Sequence, residues 1–207
     1  MGLRVLGISA SPRAGSNSDL LLREALAGAE SAGAEVEYIR LCDLNIAGCT
    51  ECNACRKTGR CIIEDDYQEI AEKMLAADRL IFATPIFFMT VCAQAKLLID
   101  RCQCLWANKY VLKKPLFATG PRDRRAMVIA VGGSKSSRMF ENIKLTMKYY
   151  LDTLDMHYWA NLFVNKTEGL GQITEHPSAL REAFRLGKEL TSSAQAPSKE
   201  PIEVGLT

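Results

Sequence analysis

The sequence predicts a doubly wound α/β domain: a five-stranded parallel sheet in the order 2-1-3-4-5, with helices on both faces. Two observations predict it. Strand and helix patterns alternate from end to end, as parallel strands joined by crossover helices require. The strand segments are short and almost continuously apolar, as strands buried on both faces must be. At 207 residues the chain has the length of one domain with a proper core. The strand order follows from no local rule; 2-1-3-4-5 is the common arrangement for five strands.

Arg4 to Ser9 opens the sheet as an apolar run closed by turn residues. A polar loop follows, then a helix with Leu22, Ala25, Leu26 and Ala29 on one face. Glu35 to Leu41 alternates around Val36 and Tyr38 as a second strand. Asp66 with Glu69 three residues on resembles a capping box, opening a helix from Tyr67 to Ala77. Arg79 to Thr84 is the third strand. Beyond Pro85 a helix runs to Ala107, its inner face marked by Val91, Ala95, Leu98, Ile99 and Cys102. Ala126 to Val131 is the fourth strand, closed by Gly132-Gly133. Phe140 to Leu154 is helical, with Ile143, Met147, Tyr150, Leu151 and Leu154 on one face. His157 to Val164 is the fifth strand, and Ser178 to Leu190 a final helix. Lys113 to Arg125 reads as a loop or a small hairpin. One domain covers residues 1–191; residues 192–207, with Pro197 and Pro201, read as an arm or a disordered tail.

Composition excludes several classes. Hydrophobic residues make up 48% and charged residues 24%, ordinary for a globular protein, and the net charge of +2 argues for neither a nucleic-acid nor an anionic-membrane partner. Met1-Gly2-Leu3-Arg4 runs straight into a strand pattern without signal-peptide architecture, and Leu6 stands where a myristoylation signal needs Ser or Thr. Leu80 to Ala95 is the greasiest stretch, yet Thr84, Pro85 and Thr90 interrupt it, so no membrane span is expected. Eight cysteines without a secretion signal point to a reducing compartment. The expected location is the cytoplasm.

Cys49, Cys52, Cys55 and Cys61 form a C-x2-C-x2-C-x5-C run inside a cysteine-rich loop over residues 48–64. Three thiolates two residues apart can converge on one small centre, and a fourth reaches back over a Gly-containing loop. Ferredoxin-type iron–sulfur clusters take ligands from such a run. Zinc more often uses two separated pairs, and disulfides need an oxidising compartment. The ranking is a cluster first, zinc or free redox-active thiols second, disulfides last. Cys42, Cys92, Cys102 and Cys104 read as small buried hydrophobes.

A second constellation joins the first strand to the first helix: Ser9-Ala10-Ser11-Pro12-Arg13-Ala14-Gly15-Ser16-Asn17-Ser18. In an open parallel sheet ligands bind beyond the carboxyl ends of strands, where helix N–H groups favour an anion. Four hydroxyls, an amide and Arg13 suit a phosphate monoester. The segment is neither a Walker loop nor a G-x-G-x-x-G fingerprint, and Ser16 also suits a plain helix cap. The Arg122-Asp123-Arg124-Arg125 run reads most simply as a solvated turn, although a dinucleotide 2′-phosphate would find it attractive.

The Ser9 to Ser18 loop, the Thr84-Pro85-Ile86-Phe87-Phe88 turn leading into Ala93 to Arg101, and Gly132-Gly133 resemble the NADPH-dependent FMN reductases over residues 3 to 165. With the cysteine run, the resemblance is to the iron–sulfur flavoprotein branch, whose fold is flavodoxin-like. It implies that Ser9, Ser11, Arg13, Ser16, Asn17 and Ser18 hold the FMN phosphate. It implies that Thr84, Pro85, Ile86, Phe87, Phe88 and Met89 border the isoalloxazine, with Gly132 and Gly133 at its other edge. The family often has Tyr near Phe87 and Gly near Met89, departures that bear on ring contacts and substrate room. The implied cofactors are FMN and a [4Fe–4S] cluster on Cys49, Cys52, Cys55 and Cys61; no catalytic side chain is named. The expected activity is an FMN-dependent oxidoreductase that passes electrons from ferredoxin or NAD(P)H to an acceptor, as a homodimer or homotetramer. Two alternatives stand beside it: a cluster-free NAD(P)H-dependent FMN or quinone reductase, and a non-enzymatic redox sensor or electron carrier.

Overall fold

The computed structural model describes residues 2–118, 122–192, 198 and 200–207. In chain order the strands are β1 (Arg4–Ser9), β2 (Glu35–Arg40), β3 (Arg79–Phe87), β4 (Thr90–Val91), β5 (Arg125–Val131), β6 (His157–Val164) and β7 (Ile202–Leu206). The helices are α1 (Asn17–Ser31), α2 (Cys55–Thr58), α3 (Tyr67–Ala76), α4 (Ala93–Arg101), α5 (Gln103–Trp106), α6 (Glu141–Thr153) and α7 (Ala179–Ser192). The sheet runs β2-β1-β3-β5-β6-β7, every neighbouring pair parallel, while β4 folds back antiparallel on β3.

The five strands read from the sequence lie in the order 2-1-3-4-5, but the sheet has seven strands, not five. The first correction is the tail. Instead of ending as an arm or in disorder, Ile202–Leu206 pairs parallel with β6 from Ala160 to Val164. Residues 193–197 and 199 lie outside the described residues. The second concerns the segment beyond Pro85. β3 continues to Phe87 and turns into β4, so α4 begins only at Ala93 and ends at Arg101. A one-turn α5 and a π-helical turn over Ala107–Val111 follow.

Alternation along each strand splits the core across the sheet. Leu6, Ile8, Leu80, Phe82 and Val128 point to one side, against Ile70 and Met74 of α3, Leu98 of α4 and Ile143 and Met147 of α6. Val5, Ile81, Met127, Ile129 and Leu162 point to the other, against Leu22 and Ala25 of α1 and Ala183 and Leu186 of α7. Each such Val, Leu, Ile, Phe or Met side chain, fully buried, contributes roughly 1.5–3 kcal/mol.

Local signals moved by small steps. Asp66 does not cap α3; its carboxylate accepts the Asn45 N–H at 2.6 Å. Asp65 accepts the Tyr67 N–H at 2.9 Å, and Gln68 Oε1 accepts the Asp65 N–H at 3.1 Å. This is the reciprocal capping pair, one residue earlier than the sequence suggested. The Arg122–Arg125 run is no solvated turn. Arg124 is buried and its guanidinium donates to the carbonyls of Met74, Ala77 and Leu154, closing the ends of α3 and α6. Burial pushes its pKa down to about 10. Arg125 is buried as well, at the amino end of β5. Residues 119–121 lie outside the described residues, and Lys113–Ala118 and Arg122–Arg124 contribute no strand.

Helices α1 and α7 touch through glycine on both sides. A Cβ on Gly28 would stand 2.0 Å from the Phe184 carbonyl oxygen, and one on Gly187 would stand 1.8 Å from the Ala25 carbonyl oxygen. Backbone cannot yield as a side chain can, so Gly187→Ala must push the helices apart. We expect it to lower the unfolding free energy by about 1–3 kcal/mol, read from urea denaturation at unchanged m-value.

Candidate functional site

Two cavities hold the residues singled out above, and no residue lines both. The first sits beyond the carboxyl ends of β1, β3 and β5. Ser16, extended at φ −67° and ψ 164°, caps α1 by accepting the Asp19 N–H. The remaining N–H groups of that turn have no intrahelical acceptor, which makes the turn an anion seat. Gly15, at φ 64°, takes the left-handed conformation that a side chain would resist, and its N–H donates to Asp19 at 3.3 Å.

Asp19 is the buried anchor of this loop. Besides Gly15 it accepts Arg23 Nε at 3.1 Å and the Tyr38 hydroxyl at 2.5 Å, with the Arg23 guanidinium 4.3 Å from the Tyr38 ring centre. Burial works to raise its pKa, but the Tyr38 hydrogen bond and Arg23 overcome it and hold the carboxyl below its ordinary value. Asn17 spends its side chain on a second brace: Nδ2 donates to the Gly169 carbonyl at 2.8 Å, and Oδ1 accepts the Ile173 N–H at 3.1 Å.

The cavity measures about 220 Å³. Ser11, Arg13, Ser16, Asn17 and Ser18 line it from the β1–α1 loop, Pro85, Ile86 and Phe87 from the end of β3, and Gly132 and Gly133 from the end of β5. Thr167, Glu168 and Leu170, from the loop beyond β6, complete the wall. Sequence reasoning missed them, although they too follow the carboxyl end of a parallel strand. A Cβ on Gly132 would meet Met139 Sδ at 2.8 Å, and one on Gly133 would meet Glu168 Oε2 at 3.1 Å, so glycine keeps this wall flat.

Ser9, Thr84, Phe88 and Met89 lie outside the lining. Ser9 is fully buried under the loop, and the buried Thr84 hydroxyl donates to the Pro85 carbonyl at 2.8 Å. Phe88 and Met89, at φ 48° and 63°, are the central pair of the two-residue turn between Phe87 and Thr90. Two positive φ angles make a type I′ geometry, which usually takes Asn-Gly. Phe88 is 102% exposed, with Phe87 at 46% and Met89 at 42% beside it.

The second cavity, about 380 Å³, is lined by all four thiols of the cysteine run, Cys49, Cys52, Cys55 and Cys61. Glu51 (φ 54°) and Asn53 (φ 60°) are left-handed on either side of Cys52 and wrap the chain tightly there. The Cys55–Thr58 turn ends at Gly59, φ 77°, where a Cβ would fall 1.9 Å from Asn108 Oδ1. Burial, and after it the neighbouring Cys49, Cys52 and Cys61, push the Cys55 thiol up. Cys104, read from the sequence as a packing residue, also lines this cavity, as does Trp106. All eight cysteines are free. Cys42 is exposed rather than buried; its sulfur donates to the Ser11 carbonyl at 3.6 Å. Among the described residues no three His, Cys, Asp or Glu side chains already meet at a common metal-binding point.

The loop is held from beneath by Arg101, at the end of α4. Its guanidinium donates to the Ala47 carbonyl at 3.0 Å, to Asp65 Oδ2 at 2.5 Å and to the Ile63 carbonyl at 2.9 Å, closing both ends of the cysteine segment on one side chain. Asp65 also accepts the Ala47 N–H at 2.9 Å. His176 lies elsewhere; its Nδ1 accepts the Ser178 and Ala179 N–H groups at the start of α7.

A family model for NADPH-dependent FMN reductase matches residues 3–168, a span that contains the hydroxyl-lined rim and the glycine wall. The chain belongs to the NADPH-dependent FMN reductase family. It is an FMN-dependent oxidoreductase. It is 36% identical over 149 residues to an iron–sulfur flavoprotein of Methanocaldococcus jannaschii, covering 72% of each chain. It is 32% identical over 176 residues to an iron–sulfur flavoprotein of Methanosarcina thermophila, covering 85% of this chain and 84% of that one. In fold it is similar to an NAD(P)H:quinone oxidoreductase from Methanothermobacter marburgensis, at TM-score 0.72, 19% identity, and coverage of 95% of this chain and 100% of that one. No helix among the described residues is long and apolar enough to cross a membrane.

The β1–α1 loop rests on Asp19. Because its folded pKa lies below the ordinary 3.8, the carboxylate stabilises the fold above that value, and the contribution is lost as pH falls through the lower folded value. Asp19→Asn should cost about 1–3 kcal/mol near neutral pH and weaken FMN binding. Between about pH 5 and about pH 2 the variant should lose less further stability than the wild type, by urea unfolding at each pH.

Proposed function

We propose that this FMN reductase family member holds FMN at the strand rim and a [4Fe–4S] cluster in the cysteine cavity, passing electrons between a reduced donor, ferredoxin or NAD(P)H, and an acceptor. The observation that carries the cluster is the donor set: one cavity walled by four free thiols, without histidine, on a loop pinned at both ends. Four Cys sulfurs are the iron–sulfur donor set, so the fit is one of donor chemistry and of a shared cavity. Flavin accepts a hydride or single electrons, while a cluster carries one electron at a time, so the pair converts two-electron into one-electron traffic.

The chain's own residues bind and orient. Ser11, Ser16 and Ser18 offer hydroxyls, Arg13 offers a cation, and the first N–H groups of α1 offer fixed dipoles to a phosphate. Pro85, Ile86 and Phe87 give a narrow apolar edge, and Gly132 and Gly133 let main chain approach a flat ring. Oxidoreduction of this kind needs no acid–base triad. Asn17 couples the phosphate turn to the Gly169–Ile173 segment, holding Thr167, Glu168 and Leu170 against the third side.

Purified without oxygen, the protein should be brown and contain about four iron and four acid-labile sulfide per FMN. Cys55→Ala should lose most of the iron while keeping FMN. A yellow protein with FMN and no iron would reject the cluster and leave a cluster-free NAD(P)H-dependent reductase. Failure to oxidise NADH or NADPH, with fast exchange with ferredoxin, would make the protein an electron carrier.

We read the exposed Phe87-Phe88-Met89 tip, next to the rim cavity, as the place where a second copy closes over the flavin in a homodimer or homotetramer. Phe88→Asp should shift the native mass toward the monomer by light scattering. An unchanged mass would move the oligomer contact elsewhere.

A further inference from the structure

We propose that Arg101, whose Nε is buried without an acceptor, donates from that nitrogen to the Cys61 sulfur once a metal centre occupies the cysteine cavity, and thereby raises the reduction potential of that centre. The inference rests on the cluster reading above and assigns Arg101 a role beyond it.

Arg101 is 1% exposed, and it shares the wall of the cysteine cavity with Cys61. Its two terminal nitrogens are occupied: Nη1 by the Ala47 carbonyl and Asp65, Nη2 by the Ile63 carbonyl. Nε is different. It is buried and has no acceptor. A guanidinium is a rigid fork that cannot be neutralised at ordinary pH, so a buried Nε–H without a partner is a donor waiting for an anion. Cys61 stands two residues before the Ile63 carbonyl that Nη2 holds, so among the four cysteines its sulfur is the one that the chain ties to this guanidinium.

The rest of the surroundings narrow the choice. Asp65, Tyr67 and the loop carbonyls hold the other faces of the guanidinium, with the Tyr67 ring centre 4.6 Å away. Arg56 also lines the cavity, but it is exposed and stacks over Trp106 at 6.0 Å, so water screens it. Arg101 is therefore the buried cation of this wall. Reduction adds one electron from the ferredoxin or NAD(P)H donor and makes the centre more negative. A hydrogen bond to its sulfur stabilises that state more than the oxidised one, which raises the potential. Arg101 gains and loses no proton in the step. Because Asp65 offsets much of its net charge, the directed Nε–H carries the effect.

The test compares wild type, Arg101→Lys and Arg56→Lys as anaerobically purified holoproteins. Lysine keeps the charge and loses the Nε donor. Arg101→Lys should retain FMN and iron, with the midpoint of the metal centre shifted down and that of the flavin unmoved in a redox titration followed by electron paramagnetic resonance. An unmoved metal midpoint at full iron content would overturn the proposal and leave Arg101 a purely structural clamp. A second measurement needs no variant to fold. Wild type labelled with 15N-arginine and reduced should show arginine-nitrogen coupling in its electron spin echo modulation, retained in Arg56→Lys. Iron present without such coupling overturns this inference alone; wild type without iron removes the cluster reading and this one together.

Discussion

Parallel pairing of β1 with β3, and of β3 with β5, is the constraint on which the rest of this molecule hangs. It sets Ser9 beside Ala83, and Pro85 beside Val131, so three chain segments leave the sheet on the same side. Each must then turn, and the turns supply the seryl loop, the Pro85–Phe87 edge and the glycine pair. An antiparallel sheet would have sent alternate loops to opposite ends. The strand order also reverses direction at β1, with β2 on one side and β3 on the other, and that opens the crevice in which the rim cavity forms.

Buried guanidinium groups do for irregular chain what the ladder does for strands. Arg124 gathers three carbonyls at the ends of α3 and α6, and Arg79 gathers those of Leu190 and Asp123. Arg101 gathers both ends of the cysteine segment against Asp65. Cutting a buried pair from one side typically costs about 3–5 kcal/mol, because the partner charge is left stranded. A loop with hardly any regular structure is thereby tied to the core at both ends.

How much of this could be read from sequence depended on where each signal was stored. β1, β3 and β5 were legible because burial on both faces demands an unbroken apolar run. β7 was not: it lies at an edge, Ile202, Val204 and Leu206 alternate with Glu203 and Gly205, and Pro201 stands just before it. The turn at Phe88-Met89 was hidden because its residues are not those that positive φ favours; tertiary context imposes the geometry. The seryl loop and the cysteine run were visible as residue types. That Asn17 would turn its amide away to Gly169 and Ile173, and that Thr167–Leu170 would form a wall, depends on a contact across more than half the chain. The arginine run was misjudged because a charge cluster says nothing about which carbonyls await it.

The Asn17 brace has a thermodynamic corollary. One amide ties the first turn of α1 to the segment beyond β6, so neither can fluctuate without straining the other. Whatever quiets the helix start also quiets the distant segment, and the ordering entropy of the second is spent when the first is fixed. A small anion alone would thus predispose the far wall to receive the remainder of a larger molecule. Occupancy at one end becomes affinity at the other, with no displacement of the backbone required.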